Sequence, residues 1–236
     1  NSQMSAVDAQ YEAQKIAFAP IIFQVARCLR EFNILALLQE QKSGLCLEEL
    51  QAKTNLSPYA LKVLLESGMS ANMLEEREGR YFSTKVGYFI QNDKMTRVNM
   101  DYNHYVNYKA LYLLEESLVS GKPEGLKEFG EWESIYPALT SLPQKASESW
   151  FSFDHFYSDS AFGGAIDILR KEGVKSIVDV GGNTGKFAIK AAKEADINVT
   201  IVDIKEQLIV ADKNIRQEGL SHKINLVEGN VLDEGF

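Results

Sequence analysis

Ser176-Ile177-Val178-Asp179-Val180-Gly181-Gly182-Asn183-Thr184-Gly185 runs a β-branched strand into a glycine-rich loop, and Lys186 to Ala195 follows with helical spacing at Phe187, Ile189, Ala191 and Ala192. The pattern then repeats. Val199 to Asp203 reads as a second strand, Glu206 to Glu218 as a second helix stopped by Gly219, and Ile224 to Glu228 as a third strand. Strand and helix in strict alternation imply a parallel sheet wound with right-handed crossovers, whose ligands sit at the carboxyl ends of the strands. The expected fold class is therefore α/β, with a Rossmann-like parallel sheet.

The loop discriminates between nucleotide-like ligands. A phosphate-binding P-loop requires glycine at the place of Val180 and Ser or Thr at the place of Phe187, so that reading fails. The dinucleotide fingerprint, counted from Gly181, meets Asn183 and Lys186 where glycines belong, and it fails from Gly182 as well. A pyrophosphate would also be repelled by Asp179, just before the first glycine. A ligand with an ammonium group, a nucleoside and no phosphate tolerates that acid, and S-adenosylmethionine has this make-up. Gly181, Gly182 and Gly185 let backbone approach such a ligand closely, while Asn183 is the non-glycine residue most able to take a left-handed conformation. Asp203, ending the second strand, can accept both ribose hydroxyls, and Asn230, past the third, can accept from the adenine amino group.

Upstream, apolar residues recur at helical spacing from Tyr11 to Leu38, with a break allowed at Pro20. This pattern fits either a core helix pair or helices packed against a second subunit. Leu47-Glu48-Glu49-Leu50, then Lys53-Thr54-Asn55-Leu56, then Ser57-Pro58-Tyr59-Ala60 leading into Leu61, Leu64 and Leu65 read as two short helices around a tight turn. Ser57 is placed to cap the second, Pro58 to occupy its first position and Gly68 to take the left-handed position after its end. A hairpin through Glu78-Gly79 completes the order helix, turn, helix, hairpin, that of a winged helix. Between Ser57 and Ser67 the only base is Lys62, opposed by Glu66, whereas a groove reader brings several phosphate-directed cations. The winged helix is thus expected to be structural or dimerising rather than nucleic-acid-binding.

Asp101 to Ser160 is rich in Tyr, Phe and Trp and broken by Gly121, Pro123, Gly125, Gly130, Pro137 and Pro143. Its cluster Trp150 to Tyr157, with Phe153, His155 and Tyr157 as candidate pocket residues, fits either a site for a flat aromatic ligand or a packed connector.

Composition narrows the field. A net charge of −8, from 33 acidic and 25 basic residues, argues against general binding to a nucleic acid backbone. The 2 cysteines and 3 histidines share no metal-ligand spacing, so no metal site is expected. The longest apolar stretch, Ile16 to Ala26, falls short of the roughly 18 residues a membrane span requires, and no secretory leader is expected. The cytoplasm is the expected location.

Taken together, these residues resemble the S-adenosylmethionine-dependent O-methyltransferase family that joins an N-terminal winged-helix dimerisation domain to a Rossmann-like methyltransferase domain. Asp179 to Gly185 looks like that family's first cofactor motif, Val202-Asp203 like its ribose-binding acid, and Gly229-Asn230-Val231 like its adenine-side turn. Asn183 stands where the family usually has glycine, and Asn230 where an acid is common. The resemblance implies S-adenosyl-L-methionine as cofactor, a small and perhaps aromatic hydroxylated acceptor, and a homodimer. It divides the chain into a dimerisation domain (1–100), a helical connector contributing to the acceptor pocket (101–170) and the N-terminal half of the donor-binding domain (171–236). The family's catalytic histidine lies beyond the third strand, so no catalytic residue is assigned and the sequence is expected to represent part of a longer chain. A non-catalytic protein that senses the cofactor or regulates transcription through the winged helix is the alternative. A nicotinamide-dependent dehydrogenase is disfavoured by the failed fingerprint.

Overall fold

A computed structural model describes residues 4–132, 134–139 and 141–230. The chain divides into two units, Asn1–Met100 and Asp101–Phe236.

In the first unit, Ser5 caps a long helix α1 (Ala6–Glu31) by accepting from Asp8 N, and the helix runs through Pro20 without the break that the sequence allowed. Only its C-terminal part reaches the core, through Val25, Ala26 and Leu29. Val7, Tyr11, Ile16 and Ile21 are exposed. Helix α2 (Ile34–Glu40) turns off at Asn33, whose left-handed backbone (φ 59°) starts the new direction. Helices α3 (Leu47–Lys53) and α4 (Pro58–Ser70) then pack with α1 and α2 around Leu29, Ile34, Leu35, Leu50, Leu61 and Leu65, all fully buried.

Ser57 caps α4 as expected, accepting from Ala60 N at 3.2 Å, and Pro58 is its first residue. Gly68 is not the left-handed terminator that the sequence suggested; it lies inside α4 and is buried. A Cβ there would come within 2.9 Å of Leu29 Cδ1 and 3.0 Å of Leu74 Cδ1, so glycine is required by packing against α1 and the hairpin. That hairpin, β1 (Leu74–Arg77) and β2 (Arg80–Ser83), turns at Glu78 and Gly79, both at positive φ, and an isolated antiparallel bridge joins Leu45 to Tyr81 of β2. The winged-helix order is thus present in three dimensions. Helices α5 (Lys85–Asn92) and α6 (Lys94–Tyr102) follow, α5 capped by Thr84.

The second unit continues from Asp101 through short helical turns to α7 (Leu114–Ser120), α8 (Ile135–Ala138) and the 28-residue α9 (Gln144–Lys171). Next come β3 (Ser176–Val180), α10 (Lys186–Ala195), β4 (Asn198–Asp203), α11 (Lys205–Gln217) and β5 (Ile224–Glu228). The strands form a parallel sheet in the order β3-β4-β5, with Val180 opposite Val202 and Asp203 opposite Glu228. The α/β expectation for this segment is met, element by element. Burial drives it: Ala188, Ala191 and Ala192 of α10, Val199 and Ile201 of β4, and Ala211 and Ile215 of α11 close one core with Ile166 of α9. β4 is the interior strand. β3 pairs only with β4 among the described residues, and its Val178 and Val180 remain 63% and 54% exposed.

Candidate donor-binding site

The loop between β3 and α10 makes its turn with three left-handed residues: Gly181 (φ 72°), Asn183 (φ 52°) and Gly185 (φ 77°). Asn183 accepts this conformation at low cost because its short polar side chain tolerates it. Gly182 is required for a different reason. A Cβ there would lie 2.8 Å from Ile201 Cγ2 and 2.9 Å from Asp179 Oδ2, so the backbone passes where only glycine fits. At Gly181 a Cβ would meet nothing, which leaves that side of the loop open.

Asp203 anchors the loop from the neighbouring strand. Its Oδ2 accepts from the Asn183 backbone N–H at 2.8 Å and its Oδ1 from Ile204 N at 2.8 Å. Each carboxylate oxygen has two acceptor sites, so one on each remains for a ligand hydroxyl. The Gly229 N–H donates to the Asp203 carbonyl at 3.0 Å, which brings the Gly229-Asn230 turn beside the same acid. Val231 lies outside the described residues.

A cleft of about 340 Å³ opens over the loop, lined by Asp179, Gly181, Gly182 and Asn183 from β3 and the loop, and by Asp154, His155 and Phe162 from α9, among others. Two acceptors in its wall, Asp179 Oδ2 and Asn183 Oδ1, are closed to water and have no hydrogen-bond partner among the described residues. Burial, followed by the nearby Asp203 charge, holds the Asp179 carboxyl above the usual aspartate range. Unpaired buried acceptors of this kind are the exception in folded proteins.

Asp154 and Thr184, which the sequence reading held only as members of longer runs, and Lys186, which it did not name as a site residue, also line this cleft. Asp154 Oδ2 accepts from Asn183 Nδ2 at 2.8 Å, Lys186 pairs with Asp159, and Asn214 of α11 donates to the Thr184 carbonyl at 2.9 Å. His155 faces the loop, with its Nε2 3.2 Å from Thr184 Oγ1. Burial first, and then the Lys186 charge, push its imidazole below the usual histidine range, which favours the neutral ring.

Phe153 and Tyr157, named with His155 as candidate pocket residues, are not in the wall of this cleft. Phe153 stacks on Tyr102 with ring centroids 4.1 Å apart, and Tyr157 packs beside Phe153 at 5.0 Å. Trp150 and Phe151 pack against the buried group Ala138, Leu139, Leu142 and Ala146. His222 is exposed in the loop before β5. Among the described residues no cluster of His, Cys, Asp and Glu is arranged to hold a metal ion.

Comparison with known proteins agrees with this architecture. Residues 10–81 match the Dimerisation2-like domain. The L-tyrosine C(3)-methyltransferase of Streptomyces lavendulae is 26% identical over 226 residues, covering 94% of this chain and 61% of that protein. Among solved structures, PigF with SAH superposes with a TM-score of 0.70 at 14% identity, over 94% of this chain and 67% of that one. The O-methyltransferase NcsB1 from neocarzinostatin biosynthesis, in complex with S-adenosylmethionine and 2-hydroxy-5-methyl naphthoic acid, gives 0.67 at 20% identity, over 91% and 66%. The chain therefore pairs a Dimerisation2-like domain with the Rossmann-like fold of S-adenosylmethionine-dependent methyltransferases, as the resemblance implied. It spans about three fifths of the length of the curated relative that it matches.

Proposed function

We propose that this protein is an S-adenosylmethionine-dependent methyltransferase acting on a small hydroxylated, aromatic acceptor, with the cleft over Gly181 to Gly185 as its donor site. The observation that carries this reading is the closure of the glycine loop onto Asp203 through the Asn183 N–H, at the carboxyl ends of two adjacent parallel strands. In this site Asp203 would hold the ribose hydroxyls, the Gly229-Asn230 turn the adenine, and Asp179 the ammonium group, while Gly181, Gly182 and Gly185 keep the backbone close to the ligand. When bound, the donor supplies a methyl group on a positively charged sulfur. What the protein contributes is orientation of acceptor and donor in line and exclusion of water.

A base that removes the acceptor proton completes such chemistry. His155, Phe153 and Tyr157, all on α9, are the residues of this chain that we place on the acceptor side. The Streptomyces lavendulae relative is named for methylation of tyrosine at C(3), a carbon acceptor. Oxygen is our reading because the acceptor side offers aromatic packing and a neutral imidazole.

Residues 1–100 serve in this scheme as a dimerisation domain, 101–170 as a connector contributing to the acceptor pocket, and 171–236 as the donor-binding segment. Exposed Val7, Tyr11, Ile16, Phe18 and Ile21 on α1 support a homodimer, since a single chain leaves them in water. No helix among the described residues is long and apolar enough to cross a membrane. Cys28 and Cys46 are unpaired, which supports a reducing compartment such as the cytoplasm.

Calorimetric titration with S-adenosylmethionine and S-adenosylhomocysteine tests the donor site. Saturable binding that weakens at least roughly tenfold in Asp203→Ala is expected, because both ribose contacts go with the carboxylate. Absence of binding to the parent chain overturns the proposal. Light scattering tests the dimer, which a monomer at micromolar concentration would refute.

A further inference from the structure

Asn183 joins three elements. Its backbone N–H donates to Asp203 at the end of β4, and its carboxamide Nδ2 donates to Asp154 on α9, both at 2.8 Å. A glycine at this position would make the first bond and lack the second. Because a carboxylate only accepts, Asp154 also fixes the amide orientation, with Nδ2 toward α9.

This bond is one of a series. Along α9, Asp154 meets Asn183, His155 meets Thr184, Asp159 pairs with Lys186, and Phe162 packs on Phe187 at 5.2 Å. The partners follow one another in the same order on both sides, so α9 and the loop with the start of α10 are laced together over two helical turns. The same stretch of α9 carries Tyr157, which packs on Phe153, and Phe153 in turn stacks on Tyr102.

We infer that Asn183 and Asp154 are positioning residues through which occupancy of the loop is transmitted to α9, so that the donor binds first and firms the aromatic side of the acceptor site. The inference rests on the donor-site reading above. Ribose hydroxyls engaging Asp203 act on the carboxylate that already holds the Asn183 N–H. Any adjustment of Asn183 passes to α9 through a charge-assisted hydrogen bond in a partly buried setting, where water competes poorly. Asp203, Asn183 and Asp154 thus form a relay from the ribose side to the aromatic helix. The coupling is thermodynamic: a donor that favours the laced arrangement stabilises α9, and a firm α9 favours the donor.

Hydrogen–deuterium exchange of the backbone across residues 150–162, with and without saturating S-adenosylhomocysteine, tests the relay. In the parent chain the ligand is expected to slow exchange there roughly tenfold. Asn183→Gly and Asp154→Ala, each measured at a ligand concentration that saturates that variant, are expected to lose the slowing. Asp154→Asn keeps an acceptor for Asn183 Nδ2 and is expected to keep the slowing, which a generally loosened helix would not do. Equal slowing in Asn183→Gly and the parent overturns the relay, as does no slowing in a parent chain that binds the ligand. A parent chain that fails to bind S-adenosylhomocysteine overturns the donor reading itself, and the relay with it.

Discussion

Gly182 passes so close to Asp179 that a methyl group on its α-carbon would sit 2.9 Å from Asp179 Oδ2, and equally tight against Ile201 on the neighbouring strand. The glycine thereby fixes how deeply the Asp179 carboxyl is buried beneath the loop. Gly182→Ala must push the loop outward or displace the acid, and overpacking of this kind costs about 1–3 kcal/mol. Urea denaturation should show that loss, and titration with S-adenosylhomocysteine should show weakened binding. An alanine variant as stable as the parent would mean that the loop yields freely.

Asp179 makes stability depend on pH. Its carboxyl is held above the usual range by burial and by Asp203, so the folded chain retains a proton that the unfolded chain releases more readily. The favourable contribution is complete below the ordinary aspartate pKa of about 4 and is lost as pH rises through the raised value. Asp179→Asn removes this penalty. Its melting temperature should match the parent's near pH 4 and exceed it increasingly toward neutrality. Affinity for a ligand bearing an ammonium group should fall in the same variant, because the ionised acid is its partner, and in the parent that affinity should rise with pH over the same interval. A parent and variant with parallel melting profiles would refute the assignment.

Ser57 supplies a test confined to the winged helix. Its side chain accepts from Ala60 N at the start of α4, and Ser57→Ala leaves that N–H to water. Loss of such a cap costs about 1 kcal/mol. Chemical denaturation should register the change, while binding of S-adenosylhomocysteine should not move, since the donor cleft is built wholly within the second unit.

Gly68 and Asn183 show where sequence reading stops being sufficient. A glycine after an apolar helical run is the ordinary mark of a helix end, and nothing local distinguishes that use from close packing in the middle of a helix. The packing of Leu29 and Leu74 decides it, and they approach Gly68 only once the unit is folded. Asn183 was legible as a left-handed turn residue, since that property belongs to its own side chain and backbone. Its bond to Asp154, 29 residues away, was not.

The sequence by itself determined the order β3-α10-β4-α11-β5, the capped α4 and its hairpin, and the loop from Asp179 to Gly185 as the place of chemistry. Each rests on periodicity or turn chemistry spanning a few residues, and short-range physics suffices for these. Only the tertiary structure decided that His155 and Asp154 face the loop while Phe153 stacks on Tyr102 and Tyr157 packs beside Phe153. Successive residues on a helix point about 100° apart, and which direction meets the loop depends on how α9 is docked. That docking is a balance of contacts with α10 and the sheet core, distributed over the second unit, and no local stretch of sequence records it.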